Sequence, residues 1–318
     1  MTQTRRDFAK LAATALPAAF LGLPGVAFAA PNSKIDGVQI GTITYSFKQD
    51  VKKPDEIIPD LAKIGISSVE LMSDDGERMA GAAALPSFGS GAKLTPDQQA
   101  QIDESRRKRA EWRAQTTPAA YEAVRKMFEA AGVQLDLLCY NMAANITDDE
   151  IEHAFKMARA LKVKAISSTS TVTVAKRVAP VAEKYQLVWG GHGHTAVNDP
   201  NEFATPESFE HILSLSNYIG VNLDIGHYTA AGYDPIVFIQ KHHGRITNLH
   251  LKDRKKHDGP NVPWGQGDTP IKEVLLLLRK EKYMFPANIE LEYPIPPGSD
   301  SVQEIAKCLA YARKCLEA

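Results

Sequence analysis

Cysteine is scarce in this chain, and what there is does not pair. Three occur in 318 residues. Cys308 and Cys315 stand seven apart on an expected C-terminal helix, so about 10 Å separates them along its axis, too far for a disulfide bond. Cys139 lies inside an apolar run. Three buried, inert thiols are the expectation. An excess of charge of one sign is also missing: 37 basic residues face 38 acidic ones, a net charge of −1. No broad field therefore draws the chain to nucleic acid or to an anionic membrane. There is no glycine fingerprint for a dinucleotide. The stretch Gly190-Gly191-His192-Gly193 lacks the Lys and the Ser or Thr that a phosphate-cradling loop needs. What is present is ordinary for a full globular core: 44% hydrophobic and 24% charged residues, in a length that suits one large α/β barrel or two domains.

The N-terminus reads as a targeting segment. Thr4-Arg5-Arg6-Asp7-Phe8-Ala9-Lys10 precedes an alanine-rich apolar run at 11–28 and an Ala27-Phe28-Ala29 site. These are the three regions of a secretory signal, and the run is too short and small-residued for a stable membrane span. The arginine pair resembles the twin-arginine export signal. That resemblance implies a partner in the twin-arginine export machinery, export of an already folded protein and a periplasmic or secreted location. The fold is therefore expected to start after about residue 30 and to fill 31–318.

Along the rest of the chain, eight apolar stretches alternate with helical ones. The expected strands are 38–47, 67–72, 133–140, 163–168, 187–192, 221–225, 246–251 and 287–291. Helices are signalled by start residues: Thr95-Pro96 with Gln98, Thr117-Pro118, Thr147 with Glu150, Thr205-Pro206 and Asp234-Pro235. Strictly alternating strands and helices mean a parallel α/β architecture. Eight repeats favour a closed (β/α)8 TIM barrel over an open sheet. One segment, about 77–115, departs from the repeat. It follows strand two as a Gly/Ala/Pro-rich loop and a polar helix, on the face where such folds place their chemistry, as either a lid or a solvated appendage.

Four strand ends carry potential metal ligands. They are His192 in LVWGGHGHT, Asp224 in VNLDIGHY, His250 in ITNLHLKDR and Glu290 in ANIELEYP, separated by 32, 26 and 40 residues. One strand plus one helix of such a barrel takes roughly 30 residues. The four thus fall at one point of successive repeats, the carboxyl end of a parallel strand. Packing alone does not place four potential ligands in register, and charges near the mouth of an apolar barrel need pairing or a metal. By contrast His153, His211, His242, His243 and His257 read as surface or helix-end residues.

Asp224-Ile225-Gly226-His227, the HLKD of 250–253, the IELE of 289–292 and the VPWGQG of 262–267 together resemble the sugar phosphate isomerase/epimerase family, within the xylose-isomerase-like superfamily. The resemblance covers nearly all of 31–318. It implies one divalent metal held by ligands on strands five to eight, which carries over to Asp224, His250 and Glu290. On strand five the family has a carboxylate, whereas this chain has Gly-Gly-His-Gly-His. His192 takes the ligand place by strand position, with His194 as the alternative. Two histidines with two carboxylates suit Zn²⁺, Mn²⁺, Fe²⁺ or Co²⁺ better than Mg²⁺.

The same resemblance implies a small carbohydrate substrate and removal of a proton next to its carbonyl, which the metal polarises. Glu290 would be the base, since strand five no longer offers a carboxylate. A single carboxylate suits β-elimination or hydration of a keto-sugar or keto-glycoside better than two-base epimerisation. His227 could donate to a substrate oxygen. Lys252 and Arg254 could hold hydroxyls or an anionic group, with Glu70, Glu292 and His194 as further substrate contacts. Two other classes compete. An abasic-site endonuclease would need more ligands and a basic face, where this chain has only Lys252–Lys256. A periplasmic sugar-binding protein would need no metal.

Overall fold

In the computed structural model, which describes residues 30–50, 52–86, 88 and 94–318, eight parallel strands close on themselves. They are β1 (Val38–Ile43), β2 (Ser68–Met72), β3 (Gln134–Cys139), β4 (Ala165–Thr169), β5 (Val188–His192), β6 (Ile219–Asp224), β7 (Ile246–Leu251) and β8 (Ala287–Ile289). Each pairs with its neighbour in the chain, and β8 pairs with β1. Closure removes the edges that an open sheet would expose. A short strand, Lys34–Ile35, runs antiparallel to the start of β1. The arginine pair and apolar run read as an export signal lie outside the described residues. No described helix is long and apolar enough to cross a membrane.

Helices α1 (Pro54–Ile64), α2 (Ser73–Met79), α3 (Pro96–Gln115), α4 (Pro118–Ala130), α5 (Asp148–Leu161), α6 (Val172–Tyr185), α7 (Pro206–Leu213), α8 (Ile225–Ala230), α9 (Pro235–His242), α10 (Ile271–Glu281) and α11 (Ser301–Leu316) surround the barrel. The helices α1, α4, α5, α6 and α10 bury one apolar stripe each, led by Leu61, Phe128, Phe155, Val178 and Leu278. Expected start signals operate as hydrogen bonds. Glu150 N donates to Thr147 Oγ1 at 3.2 Å and Thr147 N to Glu150 Oε2 at 3.0 Å. All three cysteines are buried and free.

Three expectations needed correction. The first strand stops at Ile43, and Thr44–Asp50 forms a 3₁₀ helix. There Ser46 Oγ donates to Ile289 O at 3.1 Å and accepts from Leu291 N at 3.0 Å, so a side chain replaces the backbone ladder. The last strand stops at Ile289 for the same reason, although Glu290 N still bonds Leu251 O at 3.1 Å. The helices α2 and α8, and a small hairpin pairing Asp253–Arg254 with Asn261–Val262, follow strands too closely for the apolar pattern to show them.

The insertion is fastened by charge. Of the α3 residues only Arg109 is buried, so the helix has no apolar face to hold it. Instead Arg109 and Arg113 converge on Glu77 of α2, which is 1% exposed. Arg113 Nε lies 2.7 Å from Glu77 Oε1, and His153 Nε2, read as a surface histidine, is 3.2 Å from the same oxygen. Desolvation would raise the Glu77 carboxyl, but hydrogen bonds from His153, Arg113 and Arg109 outweigh it and pull it from 4.5 to about 2. Glu77→Gln leaves buried guanidinium charge under-paired and should cost about 3–5 kcal/mol in denaturant unfolding. Because the folded value is depressed, the stabilisation is complete above pH 4.5 and is lost as pH falls towards 2. The variant should lose that part of the acid dependence. An unchanged acid limb would show that this carboxylate does not anchor the insertion.

Candidate metal centre at the barrel mouth

Asparagine recurs two residues before each ligand on β6, β7 and β8: Asn222 before Asp224, Asn248 before His250, Asn288 before Glu290. Alternation along a strand puts both members of each pair on one side. All three asparagines are fully buried, and register sets Asp224 beside His250 and His250 beside Asn288. A layer of amides thus lies one step below a layer of ligands. His192 ends β5 opposite Asn222. One ligand atom from each of His192, Asp224, His250 and Glu290 lies within 4.8 Å of the others, and all four residues are buried.

Both ring nitrogens of His192, Asp224 Oδ2, His250 Nδ1 and Glu290 Oε2 make no well-directed hydrogen bond, although Lys252 Nζ lies 2.9 Å from Asp224 Oδ2 and 2.8 Å from Glu290 Oε2. Buried polar atoms are normally satisfied, so one such atom from each of four residues, gathered within 4.8 Å, marks a place for a cation. Tautomer agrees with this. His250 Nε2 lies 2.8 Å from Glu70 Oε2, and an ionised carboxylate only accepts, so Nε2 carries the proton and Nδ1 keeps its lone pair. That lone pair faces Glu290 Oε2 at 2.9 Å, a contact that needs positive charge. The donor set therefore fits a divalent metal. Desolvation opposes a charged imidazole, yet the carboxylates of Glu290 and Glu70 drive His250 well above the usual histidine value. A proton there and a bound dication answer the same excess of negative charge.

Glu70, expected among the substrate contacts, lies below the cluster. It is fully buried and accepts from Ser167, Asn248 Nδ2 (2.9 Å), Asn288 Nδ2 (2.7 Å) and His250. Lys252 is 2% exposed and lies 2.9 Å from Asp224 Oδ2, 2.8 Å from Glu290 Oε2 and 2.6 Å from Glu292 Oε2. Burial would lower its pKa, but those three carboxylates hold it well above the normal lysine value. Lys252 plus a dication balances Asp224, Glu290 and Glu292. Glu292 is thus joined to the cluster through Lys252.

Arg254 does not face open solvent. Its Nη1 lies 2.6 Å from His227 Nδ1, while Nε and Nη2 bond Gly259 O at 3.0 and 2.7 Å. Arginine only donates, so Nδ1 accepts, and Nε2 lies 3.2 Å from the ammonium of Lys252; burial keeps the ring neutral between these two cations. Nε2 is also 3.8 Å from Asp224 Oδ2. His194 stands at the rim, its Nδ1 3.4 Å from Glu202. Burial, with His192 beside it, lowers its pKa to about 4.

The model of the xylose isomerase-like TIM barrel family matches residues 60–314. The chain belongs to that family. Solved structures of the same fold include a sugar phosphate isomerase/epimerase from Parabacteroides distasonis, 18% identical over 88% of this chain and 96% of that one, with a TM-score of 0.58. A probable 3-DHS dehydratase from Bacillus anthracis is 14% identical over 86% and 99%, TM-score 0.60. The IOLI protein, solved with a bound zinc atom, is 14% identical over 88% and 96%, TM-score 0.57. None of the curated proteins matches the sequence.

Within this family fold, one further residue shapes the mouth without being singled out in the sequence. Asp253, buried, accepts from Gly265 N and Gly267 N at 2.8 Å and Thr269 N at 3.2 Å. A Cβ at Gly267 would strike that carboxylate, so the VPWGQG loop needs glycine there. The asparagine layer did have a sequence signal, the repeated Asn-x-ligand step. Asp253 stood in the HLKD motif without an assigned role, and the donor Ser167 had no signal.

Asp224→Ala or His250→Ala should each abolish metal uptake, read as metal content after equilibration with Zn²⁺ or Mn²⁺. Full occupancy in either variant would dissolve the proposed centre. Glu70→Gln should weaken affinity about 10–100-fold by loosening His250, and parental affinity would leave Glu70 without that role.

Proposed function

We propose that this chain is a divalent-metal-dependent enzyme that removes a proton next to a sugar carbonyl, as an isomerase or epimerase acts. The observation that supports it is the set of converging, buried ligand atoms at the mouth, with a charged lysine set among them. His192, Asp224, His250 and Glu290 would hold the metal, Zn²⁺, Mn²⁺, Fe²⁺ or Co²⁺ in preference to Mg²⁺. A bound dication would act as a Lewis acid towards a carbonyl oxygen.

The chain's own groups supply the rest. Glu290 is the base, held ionised against desolvation by His250 and Lys252. Lys252 sets a fixed positive charge 2.8 Å from it, available to a substrate oxygen gaining negative charge. His227, a neutral imidazole held between Arg254 and Lys252, becomes a donor to a substrate oxygen once that oxygen takes up Lys252. Arg254 acts through His227 by fixing its ring. His194 and Glu292 remain as rim contacts. The export signal read in the Arg5-Arg6 pair and the apolar run after it would put this activity in the periplasm or outside the cell.

A second reading keeps the same site as a lyase or hydratase on a keto-sugar or keto-glycoside. What favours it is His192 at the end of β5, where a second carboxylate would serve two-base chemistry. One carboxylate to take a proton and one neutral donor at a leaving oxygen are sufficient for elimination.

Solvent deuterium incorporation and product ratio against a keto-sugar and its glycoside test both. Glu290→Gln should slow exchange about 100- to 10,000-fold; exchange at the parental rate assigns the base elsewhere. His192→Glu should shift products towards isomerisation. An unchanged product ratio would remove the case for elimination.

A further inference from the structure

We propose that the cavity between α3 and the loop after β3 is a second binding site, a subsite for the distal, uncharged sugar of an extended glycoside. It rests on the carbohydrate reading of the metal centre. The cavity holds about 950 Å³, within the usual range of small-molecule sites. Ser73 follows β2 and Asn141 follows β3, and both line it. It therefore opens on the same barrel face as the metal centre but across from β5–β8. Strands about 4.8 Å apart give an eight-stranded barrel a width of roughly 15 Å, so a single sugar at the metal does not reach this cavity.

Tyr140 borders the cavity and is 4% exposed, and its hydroxyl has no hydrogen-bond partner. A buried hydroxyl without a partner is costly; this one has almost no accessible surface, so a ligand hydroxyl relieves that cost only with a small shift of the Tyr140 side chain towards the cavity. The wall around it is fixed beforehand. Arg113 lies 5.6 Å from the Tyr140 ring centre and is tied to Glu77 and Glu150. Tyr121 Oη lies 3.1 Å from His153 Nε2, which reaches Glu77 in turn.

Charge selects the ligand class. Arg106, Arg113 and Lys156 are matched by Asp149, Glu150 and Glu152 along the lining. Asp148, Asp149 and Glu150 also fill the first turn of α5, where an anion would otherwise bind. Neither an anion nor a cation finds an excess of opposite charge, and the lining mixes apolar surface with hydroxyl, amide and charged groups, as the two faces of a sugar ring require. A neutral, hydroxyl-rich group fits.

Trp112 meets Tyr121 edge-on at 6.2 Å, so its fluorescence reports on the cavity. The full chain, before and after metal removal by chelation, is titrated with cellobiose, maltose and lactose by fluorescence and calorimetry, with inorganic phosphate as the anion control. At least one disaccharide should bind saturably with or without metal. Tyr140→Phe should weaken it about tenfold, the worth of one hydrogen bond, and Asn145→Ala, an exposed loop change, should also weaken it. Trp112→Phe should remove the fluorescence signal and leave the calorimetric one. On a keto-glycoside substrate, Tyr140→Phe should raise KM and leave kcat, with no effect on a monosaccharide. Binding by none of the three sugars, binding lost on chelation, tighter binding of phosphate, or an unaffected Tyr140→Phe would each overturn the subsite. Metal-independent binding that persists in a catalytically inert protein would leave the subsite standing and sink the enzymatic reading instead.

Discussion

Buried negative charge at the mouth of the barrel is the constraint on which the rest of this structure turns. Glu70, Asp224 and Glu290 are all withdrawn from water, where an uncompensated carboxylate costs several kcal/mol. Each is answered differently. Glu70 is surrounded by hydroxyl, amide and imidazole donors. Asp224 and Glu290 share Lys252, and the same oxygens that meet its ammonium also face His192 and His250. The asparagines of β7 and β8 follow from the same need, because an apolar layer beneath the ligands would strand Glu70.

The loops of this face are secured in the same way. The insertion after β2 hangs on Glu77, the loop after β7 on Asp253, and the turn near Gly259 on Arg254. A polar segment outside the core has little apolar area to bury, so one buried ion or charge-assisted hydrogen bond does the work of a hydrophobic stripe. Held this way the loops are preorganised, which suits a site where orientation and fixed charge lower the barrier. The α3 helix then reads as a fixed wall beside the mouth, and less as a hinged lid.

Barrels of this kind host many reactions on one scaffold. For this chain the difference lies in few atoms. His192 occupies the β5 position where a carboxylate would make a symmetrical pair with Glu290. A neutral His227 is oriented by Arg254, and Lys252 is charged and almost inaccessible. Under the proposed function those features, and not the fold, would separate proton return from elimination.

The barrel itself was legible in the sequence. Apolar strands at regular spacing, helix caps such as Thr147 with Glu150, and ligands at four successive strand ends are local or periodic signals, and closure follows from their number. His192, Asp224, His250 and Glu290 could be named because a strand end has one height in the barrel whatever the helices do. Other features required tertiary structure, because they depend on groups distant in the chain. Ser46 ends β1 by bonding the backbone of β8, 243 residues on. Glu70 reads as a strand carboxylate until Asn248 and Asn288 are seen to surround it. Arg109 and Arg113 lie on a helix that reads as solvated until Glu77 is found beneath it. A charge in a sequence does not show its partner, and in a dehydrated interior the partner decides whether that charge binds substrate, holds a metal ligand or fastens a loop.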